Sequence, residues 1–147
     1  MTRNRLVYII AAVCVLGAVL FIVGSPPSSA NIASAAEGAH GYVVLNDSNF
    51  ARETAGKLVF IDFYADWCPP CVAFAPVFAA VSAEVQDGFF VKVDVDDSPK
   101  VSAQFGIQFI PYIVAVKDGK VLAQFQERRT AESYAAWCRE QMRKQDP

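Results

Sequence analysis

Histidine is almost missing from this 147-residue sequence; the one present is His40. It stands among small and polar residues, where a single imidazole is solvated and has no second ligand beside it. Charge is scarce as well. Charged residues make up 19% of the chain, the formal net charge is −2, and no dense Lys/Arg cluster is present. A polyanion needs a basic patch or stripe to bind, so nucleic acid is excluded as a partner. No internal repeat is visible.

Apolar residues are in excess, at 54% of the chain, and they are concentrated at the N-terminus. Residues 1–23 read MTRNRLVYIIAAVCVLGAVLFIV, with Arg3 and Arg5 ahead of an uncharged run from Leu6 to Val23. That run, roughly 18 residues, is near the lower limit for a helix crossing a bilayer and longer than a usual signal-peptide core. It is apolar on every face, unlike a helix packed on a domain core. The basic flank stays on the cytoplasmic side, so whatever follows is exported. The expectation is a transmembrane anchor in the cell membrane, single-pass, with the domain on the extracytoplasmic, periplasmic side. Cleavage is the alternative, since Ala33-Ser34-Ala35 and Ser34-Ala35-Ala36 carry small residues at signal-peptidase spacing; the domain would then be secreted. Residues 24–41 are rich in Pro, Ser, Ala and Gly and read as a flexible linker. Cys14, within the apolar run, reads as filler.

Residues 42–147 are enough for one modest core. Val43-Val44-Leu45 is a short strand candidate, and Ser48 can cap a helix that runs through Thr54 and ends at Gly56. Leu58 to Tyr64 is a nearly continuous β-prone run, as expected of a central strand covered on both faces. Its one charge, Asp62, needs an explanation. A helix begins at the cysteines that follow, with Val72, Phe74, Val77, Phe78 and Val81 on overlapping faces and Pro76 inside it as a kink. Phe89 to Val95 is the next strand. Ser98-Pro99 supplies an N-cap and a first-turn proline for a helix to about Phe105. Tyr112 to Val116 and Lys120 to Phe125 form a hairpin about Asp118-Gly119. Thr130 caps a last helix to about Lys144. The order β-α-β-α-β-α-β-β-α predicts an α/β domain with a mixed sheet and helices on both faces.

Cys68-Pro69-Pro70-Cys71 admits three readings. Zinc needs four ligands, and the remaining candidates, Cys14, Cys138 and His40, do not plausibly converge, so no metal is expected. A structural staple closing so short a loop removes little entropy from the unfolded chain. A redox dithiol has a mechanism. A cysteine at a helix start sits by unpaired N–H groups and the positive end of the helix dipole, which favour its thiolate. Cys68 then reads as the nucleophile and the more exposed thiol, and Cys71, one turn on and pointing inward, as the resolving thiol. Cys138 lies among Tyr134, Trp137 and Met142 at helical spacing and reads as a packed thiol.

The segment LVFIDFYADWCPPCVAFAP at 58–76 resembles the active-site segment of the thioredoxin family, as do Lys92-Val93-Asp94-Val95-Asp96, the run Phe105 to Pro111, and Lys117-Asp118-Gly119. The likeness extends from about Val43 to Met142. It implies a thioredoxin-like fold and a redox-active Cys68–Cys71 disulfide. It further implies that Asp62 is the buried carboxyl that moves the proton of Cys71, that Lys92 tunes Asp62, and that Pro111 after Ile110 is a cis-proline aligning a substrate strand. Trp67 would shield the site and offer apolar contact, and Pro76 would be the kink proline. No cofactor is expected.

Three departures from the family pattern bear on substrate and direction. Pro69-Pro70 replaces the commonest Gly-Pro, Val72 replaces a frequent basic residue, and Gln126-Glu127-Arg128-Arg129 stands where a glycine usually borders the substrate groove. Two prolines bring no N–H donors to the Cys68 thiolate, which favours a reductant over a strong oxidant. The expected activity is protein-disulfide reductase, acting as a monomer on disulfide-containing extracytoplasmic proteins and recharged by a membrane electron donor. The alternatives are a disulfide oxidase or isomerase, the latter disfavoured because no dimerisation domain is visible, and a non-enzymatic peptide-binding module.

Overall fold

The computed structural model describes residues 41–145. The anchor or signal segment expected at 1–23, with Cys14, and all but the last residue of the linker lie outside the described residues. Among those described, no helix is long and apolar enough to cross a membrane.

The chain runs β1 (Tyr42–Val44), α1 (Phe50–Thr54), β2 (Leu58–Tyr64), α2 (Pro69–Glu84), β3 (Phe89–Asp94), α3 (Pro99–Gln104), β4 (Tyr112–Lys117), β5 (Lys120–Gln124) and α4 (Ala131–Arg143). The strands form one sheet in the order β1-β3-β2-β4-β5. β1, β3 and β2 are mutually parallel, whereas β4 runs antiparallel to β2, and β5 to β4.

β2 is central, and Val59 to Phe63 are all buried. Successive side chains alternate between the two faces of the sheet. Phe60, Phe90, Ile113 and Ala115 pack against Phe74, Phe78 and Val81 of α2 and Tyr134, Trp137 and Cys138 of α4. Ile61, Phe63, Val91, Val93 and Val114 pack against Phe50 of α1 and Val101 of α3. This two-sided cover is why β2 is almost wholly apolar. The Tyr134 ring is the hub of the first layer, with centroids of Phe74, Phe78, Phe90, Phe125 and Trp137 between 5.1 and 6.4 Å away. Cys138 is fully buried beside it.

Local signals hold at the hairpin, where Asp118 and Gly119 both take positive φ, as a tight two-residue turn demands. They hold at α4, where the Thr130 hydroxyl accepts from the Ser133 N–H. Helix α2 continues through Pro76. Two caps differ from expectation. The cap position of α1 is Asn49 rather than Ser48. Ser48 instead takes part in a local turn, its N–H and hydroxyl both donating to Asn46 Oδ1 at 2.9 and 2.6 Å. Ser98 occupies the cap position of α3 without making a side-chain cap bond. The carboxylate of Asp47 takes over, accepting from the N–H groups of Lys100 and Val101 at 3.1 and 2.9 Å.

Candidate active site

The site forms where β2 ends and α2 begins. Cys68 is the N-cap of α2, in an extended conformation, and it is disulfide-bonded to Cys71 with the Cα atoms 5.3 Å apart. The first turn of a helix normally presents several unpaired N–H groups, but Pro69 and Pro70 have none. Cys71 is the first residue in α2 with an N–H to offer, and it donates to Cys68 Sγ at 3.3 Å. The expected contrast in exposure between the thiols is small. In the disulfide Cys68 is 4% and Cys71 2% exposed, because Ala65, Tyr64, Val95 and Ile110 close around both.

Ile110 brings the 107–111 loop against the dithiol, and the Ile110–Pro111 peptide is cis. On the other flank, Trp67 is 69% exposed, so it is a surface residue and not part of the core. Its Nε1–H donates to Asp96 Oδ2 at 2.6 Å, which holds the indole at the rim. Trp67, Val95, Ile107, Phe109 and Ile110 contribute to an open, mostly apolar groove of about 270 Å³.

Asp62 pairs in register with Lys92 on β3 and Ile113 on β4, on the sheet face that carries α2 and α4. It is fully buried, and neither carboxyl oxygen has a hydrogen-bond partner. The Lys92 amine is 3.9 Å from Oδ2, too far for a hydrogen bond. It is also 3.8 Å above the Tyr64 ring centroid, a second favourable setting for the cation. Burial therefore dominates and pushes the Asp62 pKa up to about 7, against the opposing charges of Lys92 and Arg129. The carboxyl can thus exchange a proton near neutral pH.

With this geometry stands a family match: the family model described as Thioredoxin matches residues 41–140. The chain belongs to the thioredoxin family. This thioredoxin-family chain is 43% identical over 77 residues to the "Thioredoxin" of Chlamydia trachomatis, covering 52% of this chain and 76% of that one. It is 37% identical over 81 residues to the Bacillus subtilis "Thioredoxin", covering 54% and 78%. Among solved structures, the J-Trx1 fragment of ERdj5 superposes with a TM-score of 0.65 at 22% identity, covering 70% of this chain and 52% of that one. Human ERp44 in its zinc-bound form superposes at 0.63 and 21%, covering 68% and 31%. At those identities the structural likeness shows the fold alone. The thioredoxin-family domain is a redox protein with a Cys-x-x-Cys disulfide.

Tyr64 and Asp96 carry no role in the sequence pattern, and Arg129 stands there only as a departure from the family. The aromatic residue ending β2 and the acid following β3 were visible signals. The pairings of Tyr64 with Lys92 and of Asp96 with Trp67 were not, because both contacts cross between separate elements.

Proposed function

We propose that this domain is a thiol–disulfide oxidoreductase that works as a reductant on disulfide-containing extracytoplasmic proteins. The Cys68 thiolate attacks one sulfur of a client disulfide; the client S–S bond breaks, one client thiolate leaves, and a Cys68–client mixed disulfide forms. The Cys71 thiol then gives its proton to the Asp62 carboxylate and attacks Cys68 Sγ. This forms the Cys68–Cys71 disulfide and releases the second client thiolate. Two electrons pass to the client, and solvent supplies the protons that complete its thiols. A carboxyl with a pKa near 7 suits that proton transfer at neutral pH, and Lys92 keeps it from rising further. Trp67, Ile110 and Pro111 are the substrate-contacting residues in this reading. A dithiol partner in the membrane returns the electrons, because the apolar run at 6–23 behind Arg3 and Arg5 favours an exported domain.

The observation that carries the direction is the single backbone donor on Cys68 Sγ, imposed by Pro69 and Pro70. A thiolate so little supported is not over-stabilised, and over-stabilisation of the reduced form is what makes a strong oxidant. Equilibration with glutathione buffers tests this. The expected potential is close to that of thioredoxin, about −270 mV, and a value near −120 mV would make the domain an oxidant.

A further inference from the structure

The two flanks of the dithiol carry opposite charge. On the Trp67 side, Asp96 holds the indole, and the exposed acids Asp66 and Asp97 are the chain neighbours of Trp67 and Asp96. On the opposite flank the chain leaves β5 beside the cis-proline strand, with the Phe125 N–H donating to the Ile113 carbonyl at 2.9 Å. It then enters the loop Gln126 to Arg129. That loop is pinned to the start of α4, because the Arg128 carbonyl accepts from the Thr130 N–H at 2.8 Å and from the Ser133 hydroxyl. Arg128 and Arg129 are exposed, and the ion pairs of the described residues engage other cations: Arg52, Lys92, Arg139 and Lys144. The Phe125–Ile113 bond sets this loop at the end of the sheet where β4 follows cis-Pro111, the dithiol end, and the Arg129 charge there opposes the rise of the Asp62 pKa. Glu127 is the one carboxylate within the loop and offsets part of this charge.

We infer that Arg128 and Arg129 select and orient clients, favouring a segment with acidic residues on one side of its disulfide-bonded cysteine and rejecting the reversed arrangement. This rests on the reductase reading above. The arginines supply the attractive half of the discrimination and the Asp66/Asp96/Asp97 flank the repulsive half, since specificity is a difference between two placements. An apolar residue of the client would occupy the groove between Trp67 and Phe109. Opposite charges on the two flanks read the direction of the client chain, whereas net charge cannot.

The test uses the reduced full chain and two isomeric peptides of identical composition, Asp-Asp placed before or after a single cysteine. Each is capped as its mixed disulfide with 2-mercaptoethanol, and the release of peptide thiol is followed. One isomer should react roughly three- to ten-fold faster at low salt, as expected of a few solvent-exposed charge pairs. The ratio should fall towards one at about 1 M salt. The R128K/R129K variant should keep the preference, and R128E/R129E should bring the ratio to about one, because both flanks are then acidic. Isomers that react alike in the parent, or a preference that survives charge reversal, overturn the inference. Hydroxyethyl disulfide, which is uncharged, separates the two levels. A chain unable to reduce it refutes the reductase reading, whereas reduction without isomer discrimination refutes only the role of the arginines.

Discussion

Asp62 is buried, without hydrogen bonds, and opposite a cation that stops short of contact. Its pKa rises from 3.8 to about 7 on folding, so between those values the native state holds a proton that the unfolded chain has released. Stability therefore falls as pH rises through this window, and the cost is fully present above pH 7. Asp62→Asn should raise stability at pH 8 by about 2–4 kcal/mol, read as a higher urea midpoint, with the gain shrinking towards pH 4. A variant no more stable than its parent at pH 8 would contradict this account of the carboxyl. The same substitution should slow the Cys71 step roughly 100-fold, seen as a persistent mixed disulfide in rapid-quench samples. Cys138 is the opposite case. Burial pushes its thiol up to about 12, so little thiolate exists at neutral pH. Maleimide at pH 8 should label Cys68 of the reduced native protein well before Cys138, and mass mapping of the adducts checks the order.

Helix α3 shows how an element can start where local signals say and be held by something else. Ser98-Pro99 marks its beginning correctly, yet the Ser98 hydroxyl is buried and has no hydrogen-bond partner. Its capping bonds come from Asp47, 53 and 54 residues away in sequence. Asp47→Ala should cost about 1–2 kcal/mol, the usual value of a lost cap. Ser98→Ala should be neutral or slightly stabilising, because it removes a buried hydroxyl that bonds to nothing. Equal losses from both in thermal or urea unfolding would mean that Ser98 has a partner after all. The prolines of α2 act at the same scale. They start the helix and limit the donors available to Cys68, so changing Pro69 to a residue with an N–H should raise the reduction potential, measurable in the same glutathione titration.

At the scale of the whole molecule, the proposed export can be tested directly. In spheroplasts treated with a reductant, a membrane-impermeant maleimide should label Cys68 of the full chain, and an alkaline wash should leave the protein in the membrane pellet. Labelling only after lysis would place the dithiol in the cytoplasm, and release into the wash would favour cleavage near residues 33–36. Much of the fold was legible because its signals are local. An uninterrupted β-prone run, a proline after a capping serine and an Asp-Gly turn each restrict a few neighbouring torsions, and their order sets the topology. The sequence by itself determined the dithiol at a helix start, the central strand with one carboxyl in it, and, through the family likeness, the loop that ends at Pro111. Only the tertiary structure decided the rest: the depth of Asp62 and its separation from Lys92, the Asp47 cap, the Trp67–Asp96 bond, and the Phe125–Ile113 bond that sets the Arg128–Arg129 loop at the dithiol end of the sheet. Those are pairings between distant segments, created by packing, and no periodicity within a segment encodes the distance between two elements that meet only after folding.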